Sequence, residues 1–154
     1  MQFHEKQKLR RIYGVLEGQF RRYFQQALRK EGMTGANLLI MLETRLDNVV
    51  YRLGWATSRA QARQLVSHGH FDVNGHRCDI PSALLRPADA VSLHPSSRNL
   101  DYFKQAIESF GDRAMPPWLS LDPVDLSARV NSYPTREEID LAINEQLVVE
   151  YYSR

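Results

Sequence analysis

Arg59 and Arg63 stand four residues apart inside a run of 24 residues, from Asn48 to Phe71, that holds no carboxylate; the same run carries Arg52, His68 and His70. On a helix such residues are neighbours, and two like charges so placed destabilise it by roughly 0.2–0.5 kcal/mol. An anion brought to that face offsets the repulsion. A nucleic-acid backbone suits it well, because the guanidinium is a planar fork that meets two phosphate oxygens at once and each neutralised phosphate releases a counterion. The plainer reading is a solvated basic face paired in space with the acidic C-terminal half.

The N-terminal residues carry a second basic cluster, Lys6, Lys8, Arg10, Arg11, Arg21 and Arg22, interleaved with Tyr13, Phe20, Tyr23 and Phe24. The aromatic spacing fits a buried helical stripe better than a base-stacking platform, which would present rings on an open sheet. Charge is divided unevenly. Residues 1–77 hold 13 Lys and Arg against 6 Asp and Glu, a balance of +7, and residues 78–154 hold 7 against 12, a balance of −5, giving the net +2. The first half favours a polyanionic partner.

Other constellations carry less. His68, His70, His76 and Cys78 offer four potential zinc ligands around one hairpin, but with a turn at Asn74-Gly75 the residues Phe71, Val73, His76 and Cys78 share one face while His70, Asp72 and Arg77 lie on the other, so the four do not converge. Cys78 then reads as a small apolar residue. Thr44-Arg45-Leu46-Asp47 has the form in which pseudouridine synthases carry a catalytic aspartate. That family follows it with a Thr- and Gly-rich stretch, whereas Asp47 precedes Asn48-Val49-Val50-Tyr51 in an amphipathic pattern where an ion pair suffices. Glu137 and Glu138 suit a helix N-terminus. No Ser/His/Asp set, Gly-rich phosphate loop or HExxH sequence occurs.

The chain has 154 residues, 43% hydrophobic and 25% charged, which excludes a disordered tail, a collagen-like repeat and a disulfide mini-scaffold. A lone cysteine and no apolar run of membrane-spanning length make a soluble protein of a reducing compartment the expectation.

The elements that position these residues follow from periodicity. Residues 5–12 read as a basic helix closed by Gly14, and residues 18–32 as a second with Phe20, Tyr23, Phe24, Ala27 and Leu28 on one face. A third is expected from Ala36 to Leu53, stopped by Gly54. Ser58-Arg59-Ala60-Gln61 has the form of a capping box opening a helix from Arg59 to His68 that buries Ala62, Leu65 and Val66 and aligns Arg59, Arg63 and Ser67. Asn74-Gly75 predicts a hairpin pairing Val73 with His76 and Phe71 with Cys78. Ala90-Leu93 reads as a strand, Asp101-Phe110 as a helix, Met115-Leu119 as non-helical because of its two prolines, and Thr135-Asn144 as a last helix before an apolar-aromatic end. The class is α+β.

Glu5-Lys6-Gln7-Lys8-Leu9-Arg10-Arg11-Ile12-Tyr13-Gly14-Val15 and Leu42-Glu43-Thr44-Arg45-Leu46-Asp47-Asn48-Val49-Val50-Tyr51-Arg52-Leu53-Gly54 closely resemble the bacterial-type small-subunit ribosomal protein S-four family. Ala62 to His70 with Val73-Asn74-Gly75, Ile80-Pro81-Ser82, Ser97-Arg98-Asn99-Leu100 and the ending from Ile143 to Arg154 agree, so the resemblance runs from about Glu5 to the last residue. It implies direct, early binding to 16S ribosomal RNA, a position beside ribosomal protein S-five and near where messenger RNA enters the subunit, and a cytoplasmic ribosome, or an organellar one. It implies a helical domain of residues 1–41 and 130–154 with an S-four-type RNA-binding domain, 42–129, inserted.

The RNA-facing residues it implies are Arg59, Arg63, Gln64, Ser67 and His68, with Lys6, Lys8, Arg10, Arg11, Arg21, Arg22, Arg45 and Arg52 as further basic contacts, and no catalytic residue, metal or cofactor. Family members usually begin several dozen residues earlier with a basic arm, so the chain reads as a fragment, a late start or a reduced form. Its second half is also more acidic than is usual there. The alternatives are a non-ribosomal module of the same RNA-binding type, such as a heat-shock or rescue factor, and a truncated RNA-modifying enzyme.

Overall fold

The computed structural model describes residues 1–110 and 115–153, with the backbone alone at 107, 109 and 110; Arg154 lies outside the described residues. Among these residues seven α-helices and five strands follow in the order α1 (Gln2–Tyr13), α2 (Glu17–Arg29), α3 (Thr34–Glu43), α4 (Leu46–Arg52), α5 (Arg59–Ser67), β1 (Phe71–Val73), β2 (His76–Arg77), β3 (Ala90–Leu93), α6 (Asp101–Phe110), β4 (Leu119–Asp122), β5 (Ser127–Val130) and α7 (Glu145–Tyr152). The chain folds into two compact units, Met1–Glu43 with Thr135–Arg154, and Thr44–Pro134. Val130 completes a sheet strand of the second unit.

In the first unit α1 closes where expected. Gly14 takes φ 68°, the left-handed conformation glycine adopts without strain, and its N–H caps the carbonyls of Arg10 and Arg11. Helix α2 buries Phe20, Tyr23, Phe24 and Ala27, but Leu28, expected on the same face, is exposed. The core joins Phe20, Tyr23 and Ala27 to Leu9, Tyr13, Leu38, Leu39, Leu42 and Val148, and the buried Phe24 stacks on Tyr152 at 5.0 Å between centroids. Helices α3 and α7 meet closely: a Cβ at Gly35 would lie 2.8 Å from Glu145 Cγ.

Two expected helices are corrected. The one from Ala36 to Leu53 is two, α3 and α4, broken at Arg45, which is extended (φ −61°, ψ 142°). The segment 80–85 captures the backbone at the break: Leu46 N–H donates to Ala83 O, Asp47 N–H to Pro81 O and Leu85 N–H to Thr44 O. The helix expected over Thr135–Asn144 is one 3-10 turn, Arg136–Glu138, held by a true capping box between Thr135 and Glu138. Beyond it Ile139 is extended, and Arg136 binds the carbonyls of Ile139, Leu141 and Ile143 and the carboxylate of Glu145. The last helix, α7, begins only at Glu145.

The second unit is built on an antiparallel sheet of order β2-β1-β3-β5-β4. The hairpin register is the expected one: Val73 opposes His76, and Cys78 N–H donates to Phe71 O. Phe71, Val91, Leu93, Ala128, Val130 and Leu119 supply one buried face, joined by Trp55, Phe103 and the apolar sides of α4 and α5. The strands β4 and β5 were not anticipated. Their connection has no glycine; Asp122 accepts from the N–H groups of Val124 and Asp125, and Leu126 itself takes the left-handed conformation at φ 52°.

Candidate nucleic-acid interface

The basic face of the second unit is positioned by how α5 begins. Ser58 Oγ accepts from Gln61 N–H at 3.1 Å, while the Gln61 carboxamide reaches back one residue further than a capping box requires, accepting from Thr57 N–H at 2.7 Å and from the Thr57 hydroxyl. With Ala62 and Val66 buried against Val49 and Val50 of the same core, the remaining faces of α5 carry the polar residues. Arg59 is half-buried, Arg63 keeps 39% of its side-chain exposure, and Gln64, Ser67 and His68 are exposed.

Both arginines are held in place from below. Arg59 donates through Nε to Asn48 Oδ1 at 2.8 Å and its guanidinium lies 4.6 Å over the Tyr51 ring. Such a cation–π contact is worth about 0.5–1 kcal/mol at an exposed site. Arg63 Nε stands 3.7 Å from Asp47 Oδ2. This corrects the expectation that no carboxylate relieves the pair: Asp47, just outside the carboxylate-poor run, is brought against Arg63 by the packing of α4 on α5. Asp47 is nevertheless occupied chiefly by Arg45, whose Nε and NH2 groups fork onto its two oxygens at 3.1 and 3.0 Å, and by its neighbour's N–H, Asn48, at 2.7 Å. A 3.7 Å contact on a partly exposed guanidinium is weak. Positioning, rather than neutralisation, is what these contacts give the α5 face.

The structure sorts the remaining candidates. Arg45 is 3% exposed and Lys6 is 5% exposed, and each is tied to a carboxylate. Lys6 donates to Glu17 at 2.9 Å and sits 5.0 Å over the Tyr151 ring. Burial alone would raise the Glu17 carboxyl, but hydrogen bonds from Lys6 and Tyr152 and the charges of Lys6 and Arg10 outweigh it and hold the group below its ordinary value. Arg10 is half-buried between Gln7, Val15 O and Glu17, and the exposed Arg21 approaches the same carboxylate at 3.8 Å. Lys8, Arg11 and Arg22 are exposed, Lys8 donating to Ala142 O. Arg52, in the last turn of α4, is half-buried.

Two groups outside the expected RNA-facing set stand close to it. His70 and Arg77 lie beside His68: the two imidazole centroids are 6.3 Å apart, and Arg77 packs over Gly69. The alternating hairpin pattern had already put His70 and Arg77 on one face; what it lacked was the proximity of the α5 end. Asp47 has no room to act as a catalytic group, its side chain being 2% exposed and taken up by arginines. Among the described residues no three His, Cys, Asp or Glu side chains gather as a metal site, and no helix is long and apolar enough to cross a membrane.

A positioned basic helix face, backed by a small antiparallel sheet and free of catalytic geometry among the described residues, is the build of a nucleic-acid-binding module. A family profile described as "S4 domain" matches residues 44–91, and one described as "Ribosomal protein S4/S9 N-terminal domain" matches residues 1–43, meeting where the two compact units divide. Small ribosomal subunit protein uS4 of Herpetosiphon aurantiacus is 58% identical to the whole chain, that of Syntrophomonas wolfei 54%, and that of Thermus thermophilus 53%, each match covering 74% of the relative's length. The chain belongs to the small ribosomal subunit protein uS4 family.

Proposed function

We propose that this chain is a structural, non-enzymatic protein of the small ribosomal subunit that binds 16S ribosomal RNA directly, helps nucleate subunit assembly and works in the cytoplasm within the ribosome. The observation that carries the reading is the α5 face, on which Arg59 and Arg63 are anchored by Asn48, Tyr51 and Asp47 beside the exposed Gln64, Ser67 and His68. Side chains already held in register lose less entropy on meeting a phosphate backbone, which is how a rigid surface converts charge into affinity. Recognition is of RNA shape and phosphates, with few base-edge contacts. The second unit is the RNA-reading module. The first adds Lys8, Arg11, Arg21 and Arg22 as exposed cations. A seat beside ribosomal protein S-five and near the point where messenger RNA enters rests on the family likeness, and site-directed cross-linking from Arg22 and Arg77 in assembled subunits tests it.

The direct test is equilibrium binding of the whole chain to a 16S rRNA transcript at several salt concentrations. Arg59→Gln with Arg63→Gln weakens binding by at least tenfold and lowers the slope of log affinity against log salt by about 0.7–0.9 for each phosphate that is no longer neutralised. Glutamine is preferred to glutamate because a new charge at 63 would repel Asp47 and confuse binding with folding. Unchanged affinity in the double variant, or wild-type affinity flat in salt, refutes the reading. Sedimentation supplies a second check: the protein accompanies mature small subunits at one copy each, not free or stalled large subunits.

A further inference from the structure

The turn from α5 into β1, His68-Gly69-His70, collects three cationic or ionisable groups on one spot. Gly69 takes φ 81°, and Arg77 from β2 lies across it: a Cβ at that position would meet Arg77 Cδ at 3.4 Å and Nε at 3.5 Å. The His68 and His70 rings stand edge to face. His70 is fixed in orientation, its Nδ1 2.8 Å from Ser97 Oγ and its ring edge-on to Phe103 at 5.4 Å, so a ligand is met through Nε2.

The neighbours from every element around His70 leave the cluster's charge standing. His68 comes from the end of α5 and Arg77 from β2; Ser97 and Phe103, from the 3-10 turn and α6, are neutral. The carboxylate of Asp72 in β1 opposes Arg77 in the ladder, but it is buried and gives Oδ1 to His94 Nδ1 of the β3 end at 2.8 Å. Among the described residues no ion pair joins His68, His70 or Arg77 to a carboxylate. Burial first, and then the charges of His68 and Arg77, push the His70 imidazole below its ordinary value.

We propose that this turn is a phosphate-binding site which takes one RNA phosphodiester between Arg77 and the two imidazoles, and that filling it draws a proton onto His70. The inference rests on the rRNA-binding reading, which counts His68 among the RNA-facing residues, and adds His70 and Arg77 to it. A phosphate beside the ring offsets the burial and the neighbouring charges that hold the His70 imidazole below its ordinary value, so its affinity for a proton rises in the complex. Binding therefore takes up protons and strengthens as pH falls, by about tenfold per pH unit for each proton at the steepest point.

The experiment measures affinity of the full chain for a 16S rRNA transcript from pH 8 to pH 5.5, at constant ionic strength and in phosphate-free buffers. Wild type binds about 5–20-fold more tightly at pH 5.5 than at pH 7.5, the range expected for up to one proton taken up across a histidine titration. His68→Gln with His70→Gln flattens that dependence; His4→Gln with His76→Gln keeps it. The single exposed variant His68→Gln, which leaves the His70–Ser97 contact intact, reduces it. Arg77→Gln weakens binding at every pH and lowers the salt slope by about 0.9. In parallel, imidazole resonances are followed by NMR with RNA and with inorganic phosphate, and His70 must titrate higher with RNA bound than without. An undiminished pH dependence in the double histidine variant, or a His70 titration unmoved by RNA, overturns the proposal. A response to inorganic phosphate but not to RNA shows a free-phosphate site and overturns it as stated. Failure of wild type to bind rRNA at any pH defeats the parent reading instead.

Discussion

Each compact unit gathers several cations around one carboxylate, and the two differ in how deeply that carboxylate lies. Glu17 in the first unit keeps 36% of its side-chain exposure while meeting Lys6, Arg10 and Arg21; Asp47 in the second keeps 2% while meeting Arg45 and Arg63. An exposed carboxylate is screened by water, whereas a buried one cannot be removed without leaving a charge stranded. So Asp47 is part of the fold and Glu17 is an adjustable surface feature. The lesson for the basic face is that cations of one stretch of sequence serve two purposes: Arg45 is bound to Asp47 in the interior of the second unit, and Arg59 and Arg63 stand on its α5 face.

The largest expected effect separates the two hubs. Asp47→Asn removes the buried carboxylate onto which Arg45 forks, and removing one partner of such a pair costs about 3–5 kcal/mol. Urea unfolding of the whole chain reads this as a lowered midpoint at unchanged slope. A loss below about 1 kcal/mol would mean that Asp47 behaves like a surface group and that the contrast with Glu17 is void.

Much of this contrast was legible in the residue pattern, and what was not has identifiable causes. The α5 helix, its serine cap, the Asn74-Gly75 hairpin and the strand at Ala90–Leu93 are local signals, and each formed where the pattern put it. The break at Arg45 was illegible because apolar spacing runs through it unaltered; it depends on a backbone bridge to Leu84, nearly forty residues on in the chain. Over Ile139–Ile143 a cap pattern at Thr135 outweighed a period of two, Ile139-Asp140-Leu141-Ala142-Ile143, in which the two isoleucines are buried. The β4–β5 hairpin hid behind a turn whose left-handed residue is leucine. For the site, charge counting picks out α5 but cannot show that Lys6 and Arg45 are paired with carboxylates, since those carboxylates come together with them only on folding.

The intermediate test asks what holds the first unit together if its ion cluster is peripheral. The close contact of α3 with α7 is the alternative, and Gly35→Ala probes it, because the added Cβ would meet Glu145 Cγ at 2.8 Å while Arg136 pins the Glu145 carboxylate at 3.0 Å. Alanine gains helix propensity, but overpacking of this kind typically costs about 1–3 kcal/mol. A net loss in thermal stability supports helix packing as the main bond of the unit. A net gain would show that Glu145 swings aside freely.

The smallest effect is expected at Glu17 itself. Because the group is more than a third exposed, solvent screening limits its ion pairs to under about 1 kcal/mol, and Glu17→Gln should lower stability at neutral pH by no more than that. Its pH dependence distinguishes the two hubs further. The folded state holds the Glu17 carboxyl below the ordinary value of 4.5, so the unfolded chain binds its proton first on acidification. Its stabilisation is therefore complete above about 4.5 and is lost as pH falls through the depressed folded value. Wild type and Glu17→Gln should differ by a constant amount from pH 7 down to that range and converge below it. The same carboxylate accepts the Tyr152 hydroxyl at 2.9 Å, and burial together with that bond raises the phenol well above its ordinary value, so Tyr152 remains a donor throughout this window. Tyr152→Phe should then remove part of the Glu17 effect without shifting the pH at which the remainder disappears by more than a fraction of a unit, and a curve that moves to the ordinary carboxylate value would assign the depression to the tyrosine rather than to Lys6.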